Sequence, residues 1–499
     1  MSPESSDSAL GEAAPDARQT TALIAFAVSA SGLLGLYQVR TFDTFFHLAT
    51  GRLILAQHAV PAVDPFSFTF RGAPWQNHSW GFQVAMALLE RAGGFAALSL
   101  WQALLAAATS AIALLAIRHD PARLAWAALL AVLATAGFRE VLEARPHMLA
   151  YLCTALCLHC VLDFDRSASP RSLSWLLPVY LLWASAHGSH VLLFAILALS
   201  VFACAITRRA KQAGQLLLAL GVCLACGLLL APAAFLQGGE HMASSFLETS
   251  VKEWAPVTSE ILFTTFQGRT FLALAVLAAV GLAHEAHTGE RTRSLVLPGL
   301  LLLSFVLLGF TSARMLALFV LATGPVWLPL AARTLAGLTM LFGSRSTSRA
   351  ANACAALGVL LLTGSVLALG EPSFRVGVGL MEERLPIAAL ASMRERARIK
   401  RVYNAYNFGA YLLWQAYPEA GVFVDGRAIT VYPAAFLEAF DQAYQDPGVF
   451  ERLAAQFAID GVLLPSASPR TQRLLAYLKT QARFRVSYQD AVATVFELR

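Results

Sequence analysis

Four side chains suited to acid–base chemistry stand out in the polar stretch that follows the first apolar run of this sequence. They are Asp43 and His47 in RTFDTFFHLATGRLIL, Asp64 in VPAVDPFSFTF and His78 in WQNHSW. Crossing a bilayer requires none of them. A carboxylate held where a membrane helix emerges is partly desolvated yet open to water, which suits it to act as a general base. If FDTFFHLATGRLIL is helical, Asp43 and His47 stand one turn apart on one face, within reach of a shared proton, phosphate or metal ion. The plainer alternative for Asp43 is an interfacial helix cap. Asp64 precedes Pro65, so turn geometry accounts for it as readily as chemistry does. His78 suits either a hydrogen-bonded loop or a substrate contact.

Further along, Arg139, Arg145, Lys252 and Arg314 would suit a phosphate group, because a guanidinium binds phosphate oxygens bidentately. Pairing with Glu140, Glu143 and Glu253 is the structural alternative. His187 and His190 flank Gly188 at a spacing that can bind a metal. No carboxylate or thiolate accompanies them as a third ligand, which favours a structural or substrate-contacting role. In VFVDGRAITVY, Asp425 and Arg427 lie just past a strand, as an ion pair or as part of a site. Cys153, Cys157 and Cys160 recur at helical spacing beside His159 and read as packing, since cysteine behaves as a small apolar residue.

The elements that must position these groups are membrane helices. Of the 499 residues, 57% are hydrophobic and 14% charged, and mean hydropathy is +0.59. Soluble domains are roughly 45–50% apolar and about 25% charged. Runs able to cross the hydrocarbon occur near 20–38, 96–117, 122–138, 147–164, 172–186, 191–206, 213–235, 270–285, 294–310, 313–331 and 350–369, about eleven in all. The polar, acidic segment 1–19 has no basic n-region, so the first run is a retained span behind a disordered cytoplasmic tail. Arg118, Arg123, Arg166, Arg171, Arg208, Arg209, Lys211, Arg291 and Arg293 all fall in loops on the N-terminal side, which the positive-inside rule makes cytoplasmic. The unusual polar residues then face outward, and Arg314 begins a helix on the non-cytoplasmic side, against the usual charge bias. The net charge of +6 is dispersed, with no block resembling a nucleic-acid patch.

The expected fold is therefore a polytopic α-helical membrane protein with a small α/β C-terminal extracytoplasmic domain. The transmembrane part covers 20–370 with a large first outward loop at 39–95, and the soluble part covers 371–499. Candidate strands are RVYNAY, GVFVDG, DGVLLP, FRVSYQ and ATVFEL, and candidate helices span 385–397, 434–444, 447–457 and 468–481. WQNHSWGFQVAMALLE reads as a loop feeding an interfacial helix, with Trp75 and Trp80 as belt aromatics.

An acidic residue in a large first outward loop, an interfacial helix after it, about eleven spans and an outward soluble C-terminal domain resemble the type C glycosyltransferase superfamily. That group includes protein O-mannosyltransferases, aminoarabinose lipid A transferases and bacterial lipopolysaccharide sugar transferases. More narrowly, FFHLATGRLIL, VPAVDPFSFTF, ARPHML, EWAP, SARMLALF and YNFGAYLLW with VFVDGRAITVY resemble a set found in uncharacterised bacterial members.

The resemblance implies transfer of a sugar from a polyprenyl-phosphate donor to an envelope glycan, lipid or protein acceptor, at the outer face of the bacterial cytoplasmic membrane. Asp43 matches the acidic residue that acts near the acceptor, with Asp64 as a second candidate. His47, His78, Arg145, Lys252, Glu253 and Arg314 are candidates for binding substrate. Many members carry two adjacent acidic residues where this chain has Asp43 followed by Thr44. A divalent cation is the one candidate cofactor, and no metal ligands are assigned. Partners are the lipid-linked donor and membrane lipids, with no nucleic acid. The alternatives are a transporter or flippase of a lipid-linked or anionic solute, and a non-catalytic envelope scaffold. Transporters place ionisable groups near the bilayer midplane and often show two related halves, whereas the charges here sit at helix ends.

Overall fold

The computed structural model describes residues 17–118, 120–230, 254–288, 292–341, 348–371, 374–396 and 400–499. Lys252 and Glu253 lie outside the described residues, as does most of the N-terminal tail.

Each of the eleven apolar runs forms helix over most of its described residues. The order is α1 (Ala17–Gly35), α2 (Asp43–Gln57), α3 (Trp80–Leu115), α4 (Pro121–Gly137), α5 (Pro146–Ser167), α6 (Leu176–Ala186), α7 (Leu192–Ile206) and α8 (Ala210–Leu230). It continues with α9 (Ser259–Thr264), α10 (Phe266–Thr288), α11 (Val296–Gly309), α12 (Ala313–Ala317), α13 (Gly324–Leu341) and α14 (Ser348–Leu369). Among the described residues five helices are long and apolar enough to cross a membrane, or six if the pair 313–322 and 324–338, bent by 73°, is one span. The expected count of eleven is not recovered. Three further apolar helices, Arg123–Gly137, Leu173–Ala186 and Val296–Gly309, run only 10–17 residues, short of the roughly 20 a straight span needs, and α1 opens on the polar residues Arg18, Gln19, Thr20 and Thr21.

Polar contacts tie the bundle together where apolar packing gives no direction. Ser31 on α1 donates to Ser110 on α3 at 3.1 Å, and Thr135 on α4 donates to Ser31 at 3.2 Å. Arg139, expected among phosphate-binding candidates, is buried and serves the backbone. Its Nε donates to the Leu34 carbonyl at the end of α1 at 2.8 Å, and its Nη2 donates to Phe374 O. It thereby satisfies a carbonyl that the helix end leaves without an internal partner.

The C-terminal region forms a five-stranded sheet of β1 (Arg401–Asn404), β2 (Gly421–Val422), β3 (Gly461–Pro465), β4 (Phe484–Gln489) and β5 (Ala493–Leu498). Their order is β2-β1-β3-β5-β4, parallel across β1, β2 and β3 and antiparallel across β5. All five expected strands are present. Helices α15 (Ile387–Arg396), α16 (Tyr406–Ala416), α17 (Ala434–Gln442), α18 (Pro447–Gln456) and α19 (Gln472–Thr480) surround it. Helix α16 was absent from the expected set, where RVYNAY ran on into its first residue.

The loop after α1 is built into this C-terminal unit. Phe45, Phe46, Phe66 and Trp75 share a core with Val422, Phe423, Val424 and Tyr432. Ser67 bridges Val422, and Phe68 N–H donates to Val422 O at 3.1 Å, so the loop extends the sheet beyond β2. Trp75 is buried and not a belt aromatic, because its ring packs in this core. Helix α2 is thus held on one side by α3 and on the other by α16, where Phe45 meets Tyr411 at 4.8 Å and Trp414 at 5.3 Å between ring centroids.

Candidate active site

Asp43 is the first residue of α2, where the exposed N–H groups and the helix dipole favour a negative charge. Arg145, directly before Pro146 at the start of α5, reaches it with Nη2 2.9 Å from Asp43 Oδ2. Arg145 also lies 3.7 Å from Glu143, which takes a 3.3 Å contact from Arg40. The four charges balance in sign, and Asp43 at 27% and Arg145 at 18% side-chain exposure keep some access to solvent.

His47, one turn on, is buried and faces α3, where Gln83 Nε2 lies 3.3 Å from its Nδ1. Asn77 fixes that amide by donating to Gln83 Oε1 at 2.6 Å. Burial, followed by the charges of Arg145, His78 and His147, pushes the His47 imidazole well below its ordinary value, so it is neutral at physiological pH. A histidine buried neutral binds fewer protons than the unfolded chain as pH falls, so its stabilisation is lost from about pH 6.5 downward. Thermal unfolding of the purified protein is expected to occur at lower temperature as pH drops from 7 to 5, with a shallower slope for His47→Asn. Identical slopes for the two proteins would remove this assignment.

His187, between α6 and α7, is ordered by a short relay. Trp183 Nε1 donates to Ser189 Oγ at 3.1 Å, Ser189 Oγ lies 2.7 Å from His187 Nδ1, and Ser189 N–H donates to the same Nδ1 at 3.0 Å. Burial first, then Arg314, holds His187 well below its ordinary value, so the ring is neutral. Arg314 Nη2 lies 3.1 Å from Nε2, so the ring is held at both nitrogens, by Ser189 on one side and Arg314 on the other. The Arg314 guanidinium also lies over the Trp254 ring at 5.1 Å, a cation–π contact that fixes its plane. His78 completes the wall with its ring 6.4 Å from that of His187.

The structure thus brings Asp43, His47, His78, Arg145 and Arg314 into one region. Arg145 acts electrostatically on both His47 and His187, and His78 does the same. Asp64 is placed differently. It is 1% exposed, accepts N–H bonds from Phe66 at 2.8 Å and Ser67 at 3.2 Å, and pairs with Arg427 Nη1 at 2.5 Å. Ser67 Oγ donates to its other oxygen. Arg427 grips Asp425 with two nitrogens at 2.7 and 2.8 Å, and Tyr432 donates to Asp425 at 2.9 Å. Burial disfavours the guanidinium charge, and Asp425 and Asp64 more than compensate, so Arg427 stays protonated. Its guanidinium carbon lies 5.0 and 4.9 Å from the centroids of the Phe66 and Trp75 rings.

Reasoning from sequence places His147 and Trp254 on the outward face without a site role, and leaves out Gly426. Each stands in a motif already singled out, ARPHML, EWAP or VFVDGRAITVY. His147 Nε2 donates to Val141 O at 2.7 Å and so steadies the turn that carries Arg145. No group of three or more His, Cys, Asp or Glu side chains among the described residues is placed to hold a metal ion.

No protein-family model and no curated protein matches the chain. Solved structures do. The archaeal oligosaccharyltransferase AglB from Archaeoglobus fulgidus, in complex with an inhibitory peptide and a dolichol-phosphate, aligns with TM-score 0.60 at 12% identity, over 90% of this chain and 69% of its own. The A. fulgidus oligosaccharyltransferase in complex with Zn and sulfate gives 0.56 at 11%, over 90% and 68%. ArnT from Cupriavidus metallidurans bound to undecaprenyl phosphate gives 0.50 at 12%, over 95% and 97%. This chain has the type C glycosyltransferase fold. At such identities the likeness carries architecture and no residue role, so the chemistry of this chain rests on the side chains described above.

Proposed function

We propose that this protein is an integral membrane glycosyltransferase of the bacterial cytoplasmic membrane. It moves a sugar from a polyprenyl-phosphate donor to an envelope acceptor on the outer face. The N-terminus is then cytoplasmic, and the transmembrane part (20–370) carries the soluble part (371–499) outside. The observation that carries this reading is the convergence of a carboxylate, Asp43, with the guanidinium groups of Arg145 and Arg314 and the neutral ring of His187. The fold is one in which solved members hold dolichol-phosphate or undecaprenyl phosphate.

In the reaction the acceptor oxygen forms a bond to the anomeric carbon as the bond from that carbon to the donor phosphate breaks. The phosphate leaves with the electron pair, and Asp43 takes the acceptor's proton. Charge develops on the phosphate oxygens, where fixed donors are most effective. Arg314 supplies one of them, its guanidinium held by His187 3.1 Å away. Arg145 is drawn from Asp43 towards the incoming phosphate, which frees the carboxylate to act as base. His47 is assigned to the substrate-facing wall as a neutral ring, and His78 to the same wall beside His187. Lys252 and Glu253, which lie outside the described residues, are proposed to contact substrate.

Asp64 is assigned to holding the loop and not to proton transfer, since its oxygens are occupied by Arg427, Ser67 and backbone N–H groups. A divalent cation does not fit the described donor set: Asp43 contributes one carboxylate, and a guanidinium already lies 2.9 Å from it. No step is routed through a metal.

Deletion of the gene is expected to remove one sugar from the cell's envelope glycans, read by mass spectrometry, with accumulation of a polyprenyl-linked sugar. An unchanged glycan profile would overturn the proposal. Arg314→Ala is expected to slow transfer by about 10²–10³-fold, the range for removing one donor to a developing charge. Arg314→Lys is expected to restore little of it, because lysine lacks the planar fork that lies over Trp254. Full activity in Arg314→Lys would show that charge alone suffices.

A further inference from the structure

We infer that Gly426 positions the Asp43 carboxylate, so that the C-terminal unit forms one wall of the site and sets its geometry. A Cβ at position 426 would stand 2.5 Å from Asp43 Oδ1 and 3.2 and 3.3 Å from the Phe46 ring. The φ of Gly426 is outside the left-handed region. It is the missing side chain, not backbone freedom, that this position uses.

Gly426 cannot retreat, because both flanks are fixed. Upstream, Asn404 at the end of β1 donates to Val424 O at 2.7 Å and accepts from Phe423 N–H at 2.9 Å. Gly409 on α16 lies so close beneath that a Cβ there would be 1.9 Å from Val424 O. Downstream, Arg427 is locked between Asp425 and Asp64 and packs against two aromatic rings. Two sequence motifs, RVYNAYNFGAY and VFVDGRAITVY, together with the Asp64 loop, thus converge on holding one Cα against one carboxylate. Arg145 holds Oδ2 from the membrane side and Gly426 limits Oδ1 from the other. The rotamer of Asp43 is set from both.

A methyl group at 426 meets the far end of a flexible side chain. The fold survives, and Asp43 must swing away from Arg145. The control is Gly421→Ala, which loads the same interface against Phe68 at 3.2 Å without reaching Asp43.

Two measurements on the full-length protein test the inference. In the first, Gly426→Ala is expected to lower the unfolding temperature in detergent, and to lower it clearly less once Asp43 is alanine, because the 2.5 Å contact is gone and only that with Phe46 stays. An equal decrement in both backgrounds overturns the inference. This cycle does not depend on the proposed reaction.

The second rests on the glycosyltransferase reading and follows the envelope sugar in the complemented deletion strain. Gly426→Ala is expected to lose about 10²-fold, the scale of an ångström-sized misplacement, while Gly421→Ala stays near wild type. Equal losses in the two glycine variants overturn a positioning role. If Asp43→Ala itself leaves the sugar in place, the glycosyltransferase reading fails, and the stability cycle decides the positioning claim alone.

Discussion

An Asp43→Ala protein, present in the membrane at the wild-type level, is expected to transfer sugar about 10²–10⁴-fold more slowly, the usual contribution of a placed acid–base group. The size of the effect follows from the geometry. Asp43 is the partly solvated carboxylate among the assembled site residues, at a helix start that stabilises its charge, with Arg145 2.9 Å away. Alanine removes the proton acceptor and leaves Arg145 with Glu143, so the scaffold is retained. Asp43→Asn separates the two roles of the side chain, since the amide oxygen still accepts from Arg145 but the group no longer takes a proton. It is expected to be as inactive as alanine yet to unfold at the wild-type temperature. Mass spectrometry of envelope glycans in a complemented deletion strain gives the first quantity and thermal unfolding in detergent the second. Full rescue by either variant would end the proposed mechanism.

Arg427→Met is expected to have the largest effect on stability. Arg427, Asp64 and Asp425 are 3%, 1% and 0% exposed, and the arginine is the cation that both carboxylates face. Removing one member of a buried ionic group costs about 3–5 kcal/mol because uncompensated charge is left inside. Here two carboxylates lose their partner, and the tie between the α1–α3 loop and the sheet goes with it. The variant is expected to express poorly and to lose monodispersity on heating well below the wild type.

Converting Asp64 and Asp425 to Asn in the same chain is expected to recover part of the deficit, because the uncompensated buried charge is then gone. A deficit unchanged by the added asparagines would show that the cluster contributes shape and not charge.

Much of this is legible in the sequence for a simple reason. Apolar runs longer than ten residues have few alternatives to helix in a bilayer, where every backbone polar group needs an internal partner. All eleven runs are helical, yet composition does not say which are long enough to span, because that depends on breaks such as the 73° bend between 313–322 and 324–338. The five strands declare themselves by short β-branched and aromatic runs between turn residues. Helix α16 does not, because Phe408, Tyr411, Leu412 and Leu413 are all buried. A helix covered on several sides carries no one-faced pattern to read.

By itself the sequence determined a helical membrane chain with an α/β end, and singled out Asp43, Arg145 and Arg314 by the rarity of charge at helix ends. Only the tertiary structure decided which ionisable groups share a region and which are consumed in construction. Asp43 and Asp64 look alike in sequence, each an acid in a polar loop, and their fates differ because of partners 363 residues away in one case and on another helix in the other. Burial and pairing are properties of the assembled chain. No local pattern encodes that Arg427 closes around Asp64, or that Gly426 thereby comes to rest against Asp43.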